Sequence, residues 1–337
     1  MWFKKLIGFE EISAQNVQEN IEIKGNHLQS KVTGKSYQFG RLEIPGLESL
    51  RHQIVIADYP GKISLEEIVG NVGQLHASEE NKSAVFQAAS QFNLLEMASP
   101  AVTPESGVDI YEHDHTQGPA CAISCGAGTI YRNYFVPVNG KIGQSEHNQI
   151  DGLELIGEAL GNENNLLWRM QNGYCFPNEE GLRNINAQLS KMTDIEKEQM
   201  KGKLKVGIQW ETEVTLNENK QLVTQVYCSA LPIGYVSINN KSLWEPFAKL
   251  ILDATYEAAL YAGLINYRET GCRKIYLTLV GGGVFSNDIE WILAAITKAV
   301  LKFKDSPLEV KIVSYGNSST RVKNEIESIK EKIENLA

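Results

Sequence analysis

The segment KIYLTLVGGGVFSND, residues 274–288, constrains the fold of this chain more than any other. Its apolar run suits a strand buried on both faces, and it passes straight into Gly281, Gly282 and Gly283 before a helical pattern opens at 289. Open α/β sheets bind ligands at the carboxyl ends of their strands. Glycines at such an end let main-chain N–H groups approach an anion, and a following helix adds the positive end of its dipole. A glycine triplet is equally at home in a tight connection with no ligand, so the rest of the chain has to decide.

Elsewhere the pattern predicts strands at 223–230 and 310–314 and helices at 243–264, 289–303 and 320–336, the last charged and exposed. Upstream, Ile54, Val55, Ile56 and Ala57 read as a buried strand closed by Asp58, Pro60 and Gly61. Ser64 stands three residues before Glu67, a capping-box spacing that predicts a short helix. Strands alternating with helices imply an α/β fold with a mostly parallel sheet covered on both faces. Residues 1–50 differ. Ile21, Ile23, Tyr37, Phe39 and Leu42 alternate with polar positions between Gly25, Gly34 and Gly40, which predicts an extension of short strands packed on a main domain of 51–337. The more polar stretch 138–202, with helical patterns at 153–160 and 179–200 and no flexible linker, reads as an insertion or lid in that domain.

With 337 residues, 42% of them hydrophobic, the chain can bury a substantial core. Its 32 basic and 41 acidic residues give a net charge of -9, the wrong sign for general nucleic-acid binding; an anionic ligand would be held by uncharged N–H groups. Cys121, Cys125, Cys175, Cys228 and Cys272 contain no CxxC pair and predict neither a disulfide framework nor a structural zinc. No signal-peptide core follows the basic, aromatic opening and no apolar stretch nears the length of a membrane span. A cytoplasmic protein without membrane association is expected, export by a route that needs no signal peptide being left open. Two nucleotide motifs drop out: Gly34-Lys35-Ser36 lacks the glycine a Walker loop needs five residues earlier, and Gly126-Ala127-Gly128 lacks the third glycine of a dinucleotide fingerprint.

A second informative region pairs VFQAASQFNLLEM (85–97) with TQGPACAISCGAG (116–128). Small residues at Ala88, Ala89 and Ser90 lead into Gln91 and Asn93, whose amides can bind sugar hydroxyls, and Gly118, Gly126 and Gly128 offer another backbone cradle. Together these segments resemble a divergent macrodomain. Gly70-Asn71-Val72 stands in the place of the family's adenine-contacting G-D-[IV] element, with Asn for Asp. The segment from Gln87 through Gln91 and Phe92 to Asn93 resembles the strand that ends in Asn-Ala-Ala-Asn. Gln117, Gly118, Pro119 and Ala120, followed by Cys121, Ala122 and Ile123, resemble the first glycine-rich loop. Gly281, Gly282, Gly283, Val284 and Phe285 resemble the second, which wraps the diphosphate, with Phe285 against the distal ribose and Asn287 close behind. Tyr315 would approach the adenine. The wording QFNLLEM, TQGPACA, YRNYF and LWEPFAKLILDATYEA is similar to a branch that includes bacterial effectors removing ADP-ribose from arginine. The resemblance implies a three-layer α/β/α fold with a mixed, mostly parallel central sheet and long insertions, no cofactor, and ADP-ribose or an ADP-ribosylated protein as partner.

Cleaving an acceptor from the distal ribose passes through an oxocarbenium-like sugar, so a carboxylate is needed to stabilise charge or manage a proton. Asp253 and Glu257 lie one helical turn apart on an apolar helix and are the first candidates, with Glu245 two turns earlier. Asp114, beside Asp109 and Glu112, is the next, and Asn93 completes the catalytic set. Each acid has a bland alternative as a solvated surface charge. His113 and His115 flank Asp114 without a third ligand at metal-site spacing, so no metal is expected. Cys121 and Cys125 read as small buried residues. The expected function is an ADP-ribosyl hydrolase acting on a modified protein, preferably at arginine; the alternatives are a non-catalytic ADP-ribose reader and an enzyme of acylated ADP-ribose.

Overall fold

The computed structural model describes residues 1–335. Seven strands form the central sheet: β1 (Arg41–Glu43), β2 (Ser64–Val69), β3 (Val85–Ala89), β4 (Gly207–Glu213), β5 (Leu222–Cys228), β6 (Lys274–Leu277) and β7 (Glu309–Ser314), in the spatial order β1-β4-β5-β3-β6-β7-β2. Only β4 runs against the others, antiparallel to both β1 and β5. The sheet is therefore mixed and mostly parallel. The central strands alternate between two apolar cores: Val85, Val226, Ile275 and Val310 point into one, Phe86, Tyr227, Tyr276 and Val313 into the other. Both faces of these strands must be covered.

Eight helices need labels: α1 (Leu47–Gln53), α2 (Gln117–Ser124), α3 (Gly126–Tyr134), α4 (Glu179–Lys191), α5 (Asp194–Gly202), α6 (Lys241–Thr270), α7 (Ile289–Lys302) and α8 (Thr320–Asn335). The long α6 lies against the first face and is itself wrapped by α1, α4, α5 and α7, which is why its middle is buried nearly all round. The short helix Val72–Ala77, α2 and α3 cover the second face. Three α/β/α layers result, as the macrodomain resemblance implies. On the second face Phe86 stacks between His76 (3.7 Å between centroids) and Tyr276 (4.6 Å); each such buried ring contributes about 1.5–3 kcal/mol.

The glycine-ended strand, β7, α6, α7 and β5 fall where the pattern puts them; the last helix runs to Asn335, and Leu336 lies outside the described residues. Four expectations change. Ile54 to Ala57 is no strand: Ile54 ends α1, a single 3-10 turn follows at Ile56–Asp58, and Val55 faces solvent. Ser64 and Glu67 form no capping box either. They belong to strand β2, and the Glu67 carboxylate accepts hydrogen bonds from Ser314 Oγ, Ser318 Oγ and Ser319 N instead. The predicted helix 179–200 is two, broken at Met192 and restarted by a true capping box between Thr193 and Glu196. Residues 1–50 hold helices Trp2–Ile7 and Ala14–Asn20 as well as a three-stranded antiparallel sheet, and they supply edge strand β1 of the central sheet. The insertion carries a hairpin, Trp168–Gln171 with Tyr174–Pro177, beside its helices.

Candidate functional site

The site forms at the carboxyl ends of β3, β6 and β7, where chain leaving three neighbouring strands must turn away from the sheet. After β6, the Tyr256 hydroxyl donates to Thr278 O (2.8 Å) and accepts from Val280 N (3.0 Å), fixing the strand end from beneath. Gly281 then adopts φ +79°, and a Cβ there would lie 2.6 Å from Ala230 Cβ, so only glycine fits. Asn287 closes the turn from behind, donating its main-chain N–H to Gly281 O (2.9 Å) and its side-chain amide to Leu231 O (2.8 Å). Among the described residues, the N–H groups of Gly283, Val284 and Phe285 meet no protein acceptor.

The second turn opens α2. No side chain caps that helix, which leaves the N–H groups of Gln117 and Gly118 unpaired at its positive end. Gly118 is pressed onto Ala89 O and onto the Glu96 carboxylate, 2.6 Å from where a Cβ would sit. The two turns line one cleft of about 550 Å³. Neither lysine nor arginine lines it, so main-chain donors are what it offers an anion. Three polar atoms of its lining residues, Glu96 Oε1, Gln117 Oε1 and Thr278 Oγ1, are buried without a hydrogen-bond partner. Unpaired buried polar atoms are costly in a native protein, and a cluster of them in a cleft marks a place for polar ligand atoms.

Glu96 is the residue the sequence reading missed. It lines the cleft at 7% exposure, and its main-chain N–H donates to the Tyr111 hydroxyl (3.1 Å). Burial pushes its carboxyl well above the ordinary range; the Arg132 guanidinium opposes that rise and Asp114 adds to it. Arg132 forms no ion pair with it, because its donors go to Leu94 O, Gln209 Oε1 and Thr129 Oγ1 while its plane lies 3.6 Å over the Tyr227 ring. Glu96 thus holds its proton more tightly than an ordinary carboxyl does, and it faces a cleft. A signal was there to read: it is the only charged residue between Lys82 and Glu105.

Rings from three segments make one wall. Tyr174 comes from the insertion hairpin, Tyr235 from the chain after β5 and Phe285 from the glycine turn, with centroids 5.1–5.7 Å apart. Tyr174 also donates its hydroxyl to Met97 O (2.5 Å), which ties the wall to the loop bearing Glu96. At the far end stand Ser314, exposed Tyr315, Asn317 and Ser319. Burial works against ionisation of Glu67 beneath them, but its bonds to Ser314, Ser318 and Ser319 outweigh that and lower its carboxyl below the usual range, so it anchors this loop as an anion.

Of the residues singled out from sequence, the structure brings Asp114, Gln91, Gln117, Gly118, Gly281, Gly282, Gly283, Val284, Phe285 and Tyr315 into this cleft. Others lie elsewhere for identifiable reasons. Asn71 spends its side chain capping the helix Val72–Ala77, and Val72 is buried in the second core. Phe92 packs in the first core. Asn93 is fully buried and bonded to Leu95 N and Gln149 Oε1, which shapes the loop that carries Glu96. Pro119 and Ala120 continue α2 away from the cleft, and Asn287 braces the glycine turn from behind. Asp253 and Glu257 face away from the site altogether. Asp253 pairs with Lys298 (2.7 Å), and Glu257 accepts two bonds from Arg51 (2.7 and 2.9 Å) and one from Lys302. Burial pushes the thiols of Cys121 and Cys125 up, so neither offers a thiolate.

No family model and no curated protein matches the chain. Among solved structures it is similar to poly(ADP-ribose) glycohydrolase from Deinococcus radiodurans in complex with ADP-ribose, at 11% identity over 88% of this chain and 94% of that one with a TM-score of 0.45. It is also similar to poly(ADP-ribose) glycohydrolase from Thermomonospora curvata, at 13% identity over 95% of this chain and 97% of that one with a TM-score of 0.42. Likeness of that degree assigns no chemistry, which has to come from the cleft itself.

Proposed function

We propose that the cleft binds ADP-ribose and that the chain hydrolyses it from a modified protein. The observation that carries this reading is the convergence of two glycine-lined turns, with five unpaired N–H groups, on one cleft that contains buried and unpartnered polar atoms. A pyrophosphate suits donors that bear no formal charge. The terminal ribose would then lie toward Phe285 and Glu96, and the adenine toward Tyr315.

In this reading Glu96, in its protonated form, gives its proton to the leaving nitrogen or oxygen as the bond to the anomeric carbon breaks. Asp114, half-buried at the mouth, supplies negative charge near the oxocarbenium-like sugar. Water adds to the anomeric carbon and returns a proton to the Glu96 carboxylate. The products are free ADP-ribose and the unmodified acceptor. Arginine is the acceptor that fits best: a planar guanidinium suits the wall of Tyr174, Tyr235 and Phe285, and the lining holds carboxyl groups and neither lysine nor arginine.

The test combines calorimetric titration of ADP-ribose with release assays on arginine-linked and glutamate-linked substrates. Binding together with release, faster from arginine, is expected. Tight binding with no release from any linkage would leave a reader module, and no binding would remove the reading entirely.

A further inference from the structure

We propose that Glu11, from the N-terminal segment outside the cleft, is a positioning residue that holds both acids of the site in place. The inference rests on the ADP-ribosyl hydrolase reading for its kinetic consequence, though not for its structural one. Glu11 Oε1 accepts from Val108 N (2.9 Å) and from the Tyr134 hydroxyl (2.6 Å), and Oε2 accepts from Asp109 N (2.7 Å). Gly107, at φ +84°, lies so close to this carboxylate that a Cβ there would collide with it. No cation pairs with Glu11 among the described residues, so its three hydrogen bonds are what keep it there.

The same turn is gripped twice more from the N-terminal helix Trp2–Ile7: the Trp2 indole donates to Val108 O (3.1 Å) and Phe3 N donates to Asp109 Oδ1 (3.1 Å). From Asp109 the chain makes a 3-10 turn to His113, and two contacts in and after that turn reach the cleft. The Tyr111 hydroxyl accepts the main-chain N–H of Glu96, and Asp114 Oδ1 accepts Thr116 N (2.9 Å) just before α2 presents Gln117 and Gly118. One short segment thus connects Glu11 to Glu96, to Asp114 and to the anion cradle. An acceptor-only carboxylate satisfies three converging donors, whereas an amide would aim its NH2 at one of them. A misplacement near 1 Å at a reacting group costs about 10²-fold in rate.

The experiment compares wild type, Glu11→Gln and Tyr134→Phe in the full chain. Hydrogen exchange, ADP-ribose affinity by calorimetry, saturated turnover and melting temperature are read for each. Glu11→Gln is expected to speed exchange over 108–117, lower kcat by roughly tenfold or more and weaken ADP-ribose binding by a smaller factor than kcat, since the glycine turn at 281–285 is untouched. Tyr134→Phe, which keeps both main-chain bonds, is expected to retain kcat. Unchanged exchange over 108–117 in Glu11→Gln overturns the inference whatever the enzyme does. So does accelerated exchange spread over the whole chain with kcat per folded molecule unchanged, the mark of a merely structural residue. Wild type that binds no ADP-ribose sinks the proposed function instead, and the exchange data still decide whether Glu11 organises the loop.

Discussion

Two regions of this molecule bury carboxyl groups, and they do opposite things with them. On the outer side of α6, Asp253 and Glu257 are matched by Lys298, Lys302 and Arg51, contributed by α7 and α1. In the cleft, Glu96 is buried as deeply but has no ion-pair partner, its nearest cation being committed to neutral acceptors and an aromatic face. Burial alone therefore says little about chemistry. A buried acid that the fold has neutralised with cations holds helices together, whereas a buried acid left unpaired beside a cavity is available for proton transfer.

The largest effect expected from this contrast is on catalysis. Glu96→Gln removes the transferable proton while keeping the shape, and it should lower kcat by about 10³-fold, within the range for loss of a general acid. ADP-ribose affinity should stay within about threefold, since the anion cradle is main chain. Turnover at the wild-type level in this variant would erase the distinction between the two regions. Next in size is the reverse experiment. Glu257→Ala takes from Arg51 one of its two carboxylate partners, Glu198 being the other, and leaves Lys302 unpaired; chemical denaturation should show a loss of about 2 kcal/mol, as for charged hydrogen bonds removed at a mostly buried site. Release of ADP-ribose per folded molecule should not change.

What the sequence alone disclosed follows the same line. The strand into Gly281, the helix over 289–302 and strand β7 were legible because period and glycine punctuation are local properties. Strand β4 was not: polar Gln209 and Thr212 interrupt its alternation, and a bulge places Glu211 at φ +50°, so no regular pattern survives. Asp253 and Glu257 attracted attention as acids on an apolar helix, and their neutralising partners stand at least 45 residues away, where no spacing rule reaches. Glu96 suffered from the converse problem, since Leu95 and Met97 made its surroundings read as plain core. Both glycine turns were visible, but their meeting in one cleft is a fact of topology, set by the adjacency of β3 and β6.

The comparison can also be sharpened with pH. The folded Glu96 carboxyl titrates well above its ordinary 4.5, chiefly because burial penalises its anion. Between 4.5 and that higher value the unfolded chain is ionised while the native state keeps its proton, so the native state binds more protons and loses stability as pH rises. The melting temperature of Glu96→Gln should accordingly match or trail wild type near pH 4.5 and gain on it steadily at higher pH. Hydrolysis by wild type should fall through the same higher pKa, as the acid form disappears. A gap between the two melting curves that stays constant with pH would mean that Glu96 is ionised in the native protein, and its assignment as an acid would fail.

The smallest expected effect tests the other arm. Asp253 is mostly buried, but its closest partner, Lys298, is 59% exposed, and ion pairs of that kind contribute about 0–1 kcal/mol. In Asp253→Asn the amide oxygen can still accept from Lys298, so melting should shift by no more than a few degrees and turnover should remain at the wild-type level. The prediction is informative because Asp253 was the first acid the sequence recommended. A drop in kcat with normal folding would mean that α6 communicates with the cleft, and Tyr256, three residues along the helix and bonded to both Thr278 O and Val280 N at the glycine turn, is a route the hydrogen bonds provide for it.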